Sequence, residues 1–204
     1  MSAEDFHEAA AALAAIGRRF DARGWVLGTS GNFSALVRRA PLGIAITRSG
    51  AHKGTLSADD ILEIDESAHV TGGGPGSPSA ETRLHLEIYT ARHAGAVLHT
   101  HSIWATILSD RHADAGGIAI DGYEMLKGLA GVTSHEHREW IPVIENDQDM
   151  ARLAGTVRGV LAEQPGCHAF LLRRHGLYTW GATLQDAARH VEIVEFLLES
   201  VGRR

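Results

Sequence analysis

The segment Val97-Leu98-His99-Thr100-His101-Ser102 places two histidines two residues apart at the end of an apolar run. Alternate side chains of a β-strand share a face, so His99 and His101 can present two imidazoles to one metal ion. The same pair also fits a wet strand edge, or a core in which one ring is hydrogen-bonded. A catalytic zinc centre takes three protein ligands and keeps one position open. His175 is the best-placed third ligand, because Arg174-His175-Gly176 lies between two apolar β runs and glycine lets the chain turn there. A plain hairpin turn would tolerate that histidine too. His135-Glu136-His137 forms a rival group, in a charged stretch that reads as a surface loop.

A metal-assisted reaction at carbon also needs a proton carrier. Glu81 and Glu124 are the candidates, each in surroundings poorer in charge than most other acids of the chain. Glu81 opens a helix, where it could equally complement the helix dipole. Glu124, between Tyr123 and Met125, could equally face solvent. Two glycine turns, Gly28-Thr29-Ser30-Gly31-Asn32 and Thr47-Arg48-Ser49-Gly50, offer N–H groups and hydroxyls to an oxyanion. Ser77 and Ser79 add hydroxyls near a helix start, where negative charge is favoured. Each would serve as well in an ordinary turn or cap, and none has the spacing of a P-loop or dinucleotide fingerprint.

These groups need a scaffold, and the composition supplies one. The chain has 204 residues, 44% of them hydrophobic, enough for one domain over residues 1–204 with a sizeable core. Its formal charge is −6 with acids and bases interspersed, which argues against a nucleic-acid or anionic-membrane partner. A small phosphorylated ligand remains compatible with that charge, since a few N–H groups suffice to hold it. The one cysteine, Cys167, excludes an intramolecular disulfide and a four-cysteine zinc site. An acidic start without a signal-peptide pattern, and an apolar run of only residues 9–16, predict a soluble, cytoplasmic protein. Thirteen histidines fit metal binding without establishing it.

Hydrophobic periodicity predicts a helix over residues 4–23, closed by Gly24. Strands follow at 33–37 and 42–47, paired as a hairpin, and at 61–64. Residues 71–78 read as a Gly, Pro and Ser-rich loop, after which Ser79 caps a helix running to about residue 92. A buried strand at 95–101 precedes helices at 104–108 and 123–129. Next come a strand at 140–144, a helix at 148–162, strands at 169–173 and 177–180, and a last helix capped by Thr183. Early strands mixed with helices predict a three-layer α/β/α domain with a mainly antiparallel central sheet.

With these motifs in order, the chain resembles the class II aldolase/adducin-head family along nearly its whole length. The resemblance rests on Ser30-Gly31-Asn32, Thr47-Arg-Ser-Gly50, Ser79-Ala80-Glu81, His99-Thr-His101 and His175-Gly176. Within the family it is most similar to the dehydratase branch of methionine salvage. That likeness is carried by residues 46–54, by Gly122-Tyr-Glu-Met-Leu-Lys-Gly128 and by residues 173–181. It implies zinc on His99, His101 and His175, with Glu124 as acid/base and Glu81 in a supporting, metal-proximal role. It implies contacts to a sugar-phosphate substrate from Ser30, Gly31, Asn32, Ser49, Gly50, Ser79 and Lys127. Aldolase members use two adjacent serines for phosphate, and Ala80 replaces the second here. A homotetramer follows by analogy. Two other readings within the family are a sugar-phosphate aldolase of the fuculose or ribulose type, and an adducin-like assembly domain. The latter lacks the metal-binding histidines.

Overall fold

The computed structural model describes residues 3–204; Met1 and Ser2 lie outside the described residues. Nine strands form one sheet among these residues, in the order β4-β3-β2-β1-β5-β9-β8-β7-β6. They are β1 (Asn32–Arg39), β2 (Leu42–Thr47), β3 (Ile61–Asp65), β4 (Val70–Gly73), β5 (Ala96–Thr100), β6 (Gly117–Ile120), β7 (Glu139–Ile144), β8 (Ala169–Leu172) and β9 (Gly176–Gly181). All neighbours pair antiparallel except β7 with β8, as the sequence predicts for the sheet as a whole. Five helices cover it: α1 (Ala3–Asp21), α2 (Thr82–Arg92), α3 (Ile103–Arg111), α4 (Met150–Glu163) and α5 (Leu184–Gly202).

Both faces are buried, which gives the three layers. Leu84 and Ile88 of α2, with Leu153, Val157 and Leu161 of α4, pack on Ile44, Ile46, Val97, Phe170 and Tyr178. On the other face, Leu13 and Phe20 of α1 and Val191 of α5 meet Phe33, Ala45, Ala96 and Leu98. Further along that face, Leu108 of α3 and Leu197 of α5 cover Ile118, Leu171 and Leu177. The alternation along β5 sends Val97 to the α2 side and Ala96 and Leu98 to the α1 side. His99 therefore faces the α2 layer, and Thr100 points away from it toward Glu195 of α5 at 2.9 Å.

Four local expectations are revised. The loop expected at 71–78 begins as β4, a four-residue edge strand pairing with β3. β6 was not foreseen, because Gly117-Ile-Ala-Ile120 is too short to show a period. Residues 124–128 form a 3-10 turn rather than an α-helix. Helix α2 starts at Thr82 with Glu81 in the cap position, and the Ser79 hydroxyl accepts from the Glu81 N–H at 3.2 Å. Ser79 thus closes the turn ahead of the helix. At the far end, Thr183 does cap α5, accepting from the Asp186 N–H at 3.1 Å.

Candidate metal centre

Three central strands bring the site together. In the β1–β5–β9 register, Asn32 lies opposite His99, and His99 lies opposite Tyr178. His101 follows β5 directly, with its N–H bonded to the Trp25 carbonyl at 2.7 Å. His175 ends the turn between β8 and β9, where Arg174 takes φ +54°. Gly176 has to be glycine, since a Cβ there would stand 2.1 Å from the Thr100 carbonyl oxygen. Gly31, at φ +73°, is similarly confined, its missing Cβ being 2.6 Å from the His99 carbonyl.

The three imidazoles face one another. His101 Nε2 is 2.8 Å from His99 Nε2, and His175 Nε2 is 3.4 Å from it. The Leu177 carbonyl accepts from His99 Nδ1 at 3.0 Å, so that nitrogen carries the proton and Nε2 is left with a bare lone pair. The Tyr178 ring stacks on His99 at 3.9 Å and fixes its plane. Burial lowers the His99 pKa well below the usual value, and lowers His101 to about 4 with help from the His175 and Lys53 charges. Neutral rings are the ligating form.

Glu81 closes the group. Its Oε1 is 3.1 Å from His175 Nε2 and its Oε2 is 3.6 Å from His99 Nε2, while Asn32 Nδ2 donates to Oε2 at 2.6 Å. Burial works to raise this carboxyl. The neighbouring rings of His99 and His175 and the Asn32 amide outweigh it and hold the pKa well below the carboxylate range.

The donor set suits a divalent cation. Nitrogens bound at about 2.0–2.1 Å around a tetrahedral zinc lie roughly 3.3–3.4 Å apart. The His99–His175 pair matches that spacing, and the closer His99–His101 pair needs a small ring rotation. A shared cation would use the lone pairs of all three ring nitrogens, which lie within 4.8 Å of one another.

The oxyanion turns gather beside this cluster. Lys53 Nζ donates to the Thr29 carbonyl at 3.0 Å and to the Ala51 carbonyl at 2.6 Å, tying the first turn to the segment after the second. Ser49 N–H binds the Ser77 carbonyl at 2.9 Å, and Arg48 bridges to Pro78, which joins the second turn to the serine loop. The Ser30 hydroxyl is buried without a hydrogen-bond partner, an unmet polar group next to Gly31, which packs on the His99 carbonyl. Gly50, at φ +71°, has open space around it.

Not every candidate joins the cluster. Glu124 is 69% exposed and pairs with Lys127 and, at 3.7 Å, with His135. Among the described residues, the ion pairs of Glu124 and Lys127 are with each other and with His135, not with the three histidines. The rival group also divides. His135 stays with Glu124, whereas His137 Nε2 binds Glu139 at 2.8 Å and Glu139 holds His168 Nδ1 at 3.0 Å.

Sequence reading missed Lys53, Tyr178 and His85. Lys53 is 1% exposed with no carboxylate within salt-bridge distance among the described residues, and burial, then the Arg48 charge, lower its pKa to about 8. Its burial has no local signal beyond the Ser-Gly-Ala-His-Lys-Gly string. His85 sits one turn after Glu81 on the apolar side of α2, a spacing that was visible in the chain.

Comparison with known proteins agrees with this geometry. The family described as Class II Aldolase and Adducin N-terminal domain matches residues 11–201. A methylthioribulose-1-phosphate dehydratase of Sorangium cellulosum is 43% identical, over 95% of this chain and 91% of its own. One from Pseudomonas paraeruginosa is 48% identical, over 90% and 88% respectively. Among solved structures, an L-fuculose-1-phosphate aldolase from Thermus thermophilus has a TM-score of 0.72 and 26% identity, covering 94% of this chain and 92% of that one. The chain belongs to the class II aldolase and adducin N-terminal domain family.

Proposed function

We propose that this protein is a zinc-dependent hydro-lyase that dehydrates 5-methylthioribulose 1-phosphate to 2,3-diketo-5-methylthiopentyl 1-phosphate. The observation that carries this is the convergence of ring nitrogens from His99, His101 and His175 within 4.8 Å of one another beside the Glu81 carboxylate. The relatives named methylthioribulose-1-phosphate dehydratase favour dehydration over carbon–carbon cleavage.

His99, His101 and His175 would hold the ion. A divalent cation there supplies Lewis-acid polarisation of the ketose C2 oxygen, which makes the C3 proton acidic. Glu81, kept anionic, stands beside the ligands where a substrate carbonyl would dock and accepts the C3 proton. Glu124, exposed at the rim in its pair with Lys127, would take up a proton, turn toward the ligand and donate that proton to the departing C4 hydroxyl, which leaves as water. The resulting enol tautomerises to the diketone. Ser30, Gly31, Asn32, Ser49, Gly50 and Ser79 border the phosphate site, with the unpaired Ser30 hydroxyl and the open Gly50 turn as its most available contacts. Lys127 would add charge at the rim.

We read the chain as one domain, since a single sheet runs from β4 to β6. No described helix is long and apolar enough to cross a membrane. A cytoplasmic homotetramer is the assembly we favour; Leu27 and Ile103, 61% and 66% exposed near the metal ligands, suit a subunit contact.

The test is incubation of purified protein with 5-methylthioribulose 1-phosphate, with and without a chelator. Chelator-sensitive diketone formation without loss of carbon supports the proposal. Two smaller carbonyl fragments would establish the aldolase reading instead.

A further inference from the structure

A chain of buried hydrogen bonds runs inward from Glu81, and each link has only one sense. A carboxylate only accepts, so Asn32 turns its Nδ2 toward Glu81 Oε2, at 2.6 Å. Asn32 Oδ1 then faces His85 Nε2 at 2.5 Å, and that nitrogen must carry the proton. Burial lowers the His85 pKa to about 4 against the pull of the Glu81 charge, so its Nδ1 is bare. Nδ1 accepts from the Ser34 hydroxyl at 2.7 Å. The Ser34 proton is thereby committed, and Ser34 Oγ accepts from the Tyr89 hydroxyl at 3.1 Å.

The local geometry explains how four polar side chains meet in an apolar layer. Asn32 and Ser34 are alternate residues of β1 on the α2 side, and His85 and Tyr89 are one turn apart on α2. Asn32 is 5% exposed, Tyr89 3%, and Ser34 and His85 are wholly buried. A core that served packing alone would place apolar groups here, because each buried polar atom costs desolvation. The chain ends on the one carboxylate that, among the described residues, touches the metal-ligand candidates.

We propose that His85 is a positioning residue: its Nε2 proton fixes the Asn32 amide, and that amide holds Glu81 with Oε1 toward His175. An unguided amide could rotate and set its oxygen against the carboxylate, turning an attraction into a repulsion. The inference rests on Glu81 serving as the proton acceptor proposed above.

The experiment compares His85→Leu, His85→Gln and Glu81→Gln as zinc-loaded proteins, following kcat and KM with 5-methylthioribulose 1-phosphate. Zinc affinity is measured in parallel by competition with a chromophoric chelator. His85→Leu should lower kcat or zinc affinity about 10- to 100-fold, the usual effect of losing a group that orients a metal-site residue, with KM little changed. His85→Gln, whose amide N–H can replace the imidazole donor, should restore most of the loss. Wild-type kcat and zinc affinity in His85→Leu, with Glu81→Gln impaired, overturns the inference alone. Unimpaired Glu81→Gln overturns the parent reading. If His85→Leu does not fold, Ser34→Ala takes its place. It removes the donor to Nδ1, frees the opposite tautomer, and must lower kcat or zinc affinity in the same direction; wild-type values there overturn the inference.

Discussion

Replacing His168 by alanine should cost this protein several kcal/mol. Glu139 is 1% exposed and accepts from His137 Nε2 at 2.8 Å, from the His168 N–H at 2.9 Å and from His168 Nδ1 at 3.0 Å. The other nitrogen of His168 donates to the Ala130 carbonyl at 2.8 Å. Both ring nitrogens face acceptors, so the bound form is the imidazolium. Burial opposes that charge, but the bond and charge of Glu139 outweigh it and raise the His168 pKa. Removing one partner of a buried ion pair costs about 3–5 kcal/mol, and Glu139 would keep only His137 and the backbone N–H of residue 168 against its charge. For a chain of this size each kcal/mol lowers Tm by roughly 2–4 °C, so the expected drop is about 6–20 °C.

The pH dependence follows from the two shifts. The raised His168 pKa stabilises fully below its unfolded value near 6.5, and that contribution is lost as pH rises through the folded value. Burial would raise Glu139, yet its histidine bonds prevail and lower it; its contribution is full above an unfolded value near 4.5 and lost as pH falls. The network therefore supports the fold most between about pH 4.5 and 6.5. Thermal unfolding followed by circular dichroism across pH is the assay. A His168→Ala drop below about 2–4 °C, the equivalent of 1 kcal/mol, would refute the ion pair. So would a deficit that grows toward alkaline pH.

Three other outcomes are expected. His99→Ala should lose bound zinc by elemental analysis; undiminished metal would move the site to His137, Glu139 and His168. Glu124→Gln should keep metal and fold while turnover falls about 10²- to 10⁴-fold, and near-normal turnover would remove Glu124 from the mechanism. Ser30→Ala should raise KM for the phosphorylated substrate with little change in Tm. A lost hydrogen bond to a charged group is worth about 1.5–3 kcal/mol, or roughly 10- to 150-fold in affinity.

Much of the histidine cluster was legible because it obeys local geometry. The two-residue spacing of His99 and His101 fixes their shared face whatever the strand pairs with. His175-Gly176 announces a turn, and the close approach of Thr100 explains why the second residue is glycine. Glu81 was ambiguous, because a carboxylate at a helix start satisfies the dipole equally well. Only the pairing of Asn32 with His99 across β1 and β5 brings it against the rings. The Glu139–His168 pair spans 29 residues and joins β7 to the start of β8, a contact no local pattern encodes. β4 and β6 escaped for a different reason. They are four residues each, contain glycine, and acquire their conformation from a neighbour.

Asn32, His99 and Tyr178 stand side by side on three adjacent strands, one from each, like places along a single crossbar. Loss of one residue within any of these strands would swing its member to the far side of the sheet. Such a frame resists gradual adjustment. New specificities can be acquired only in the turns that border it, while the chemistry at its middle is kept whole or lost at a stroke.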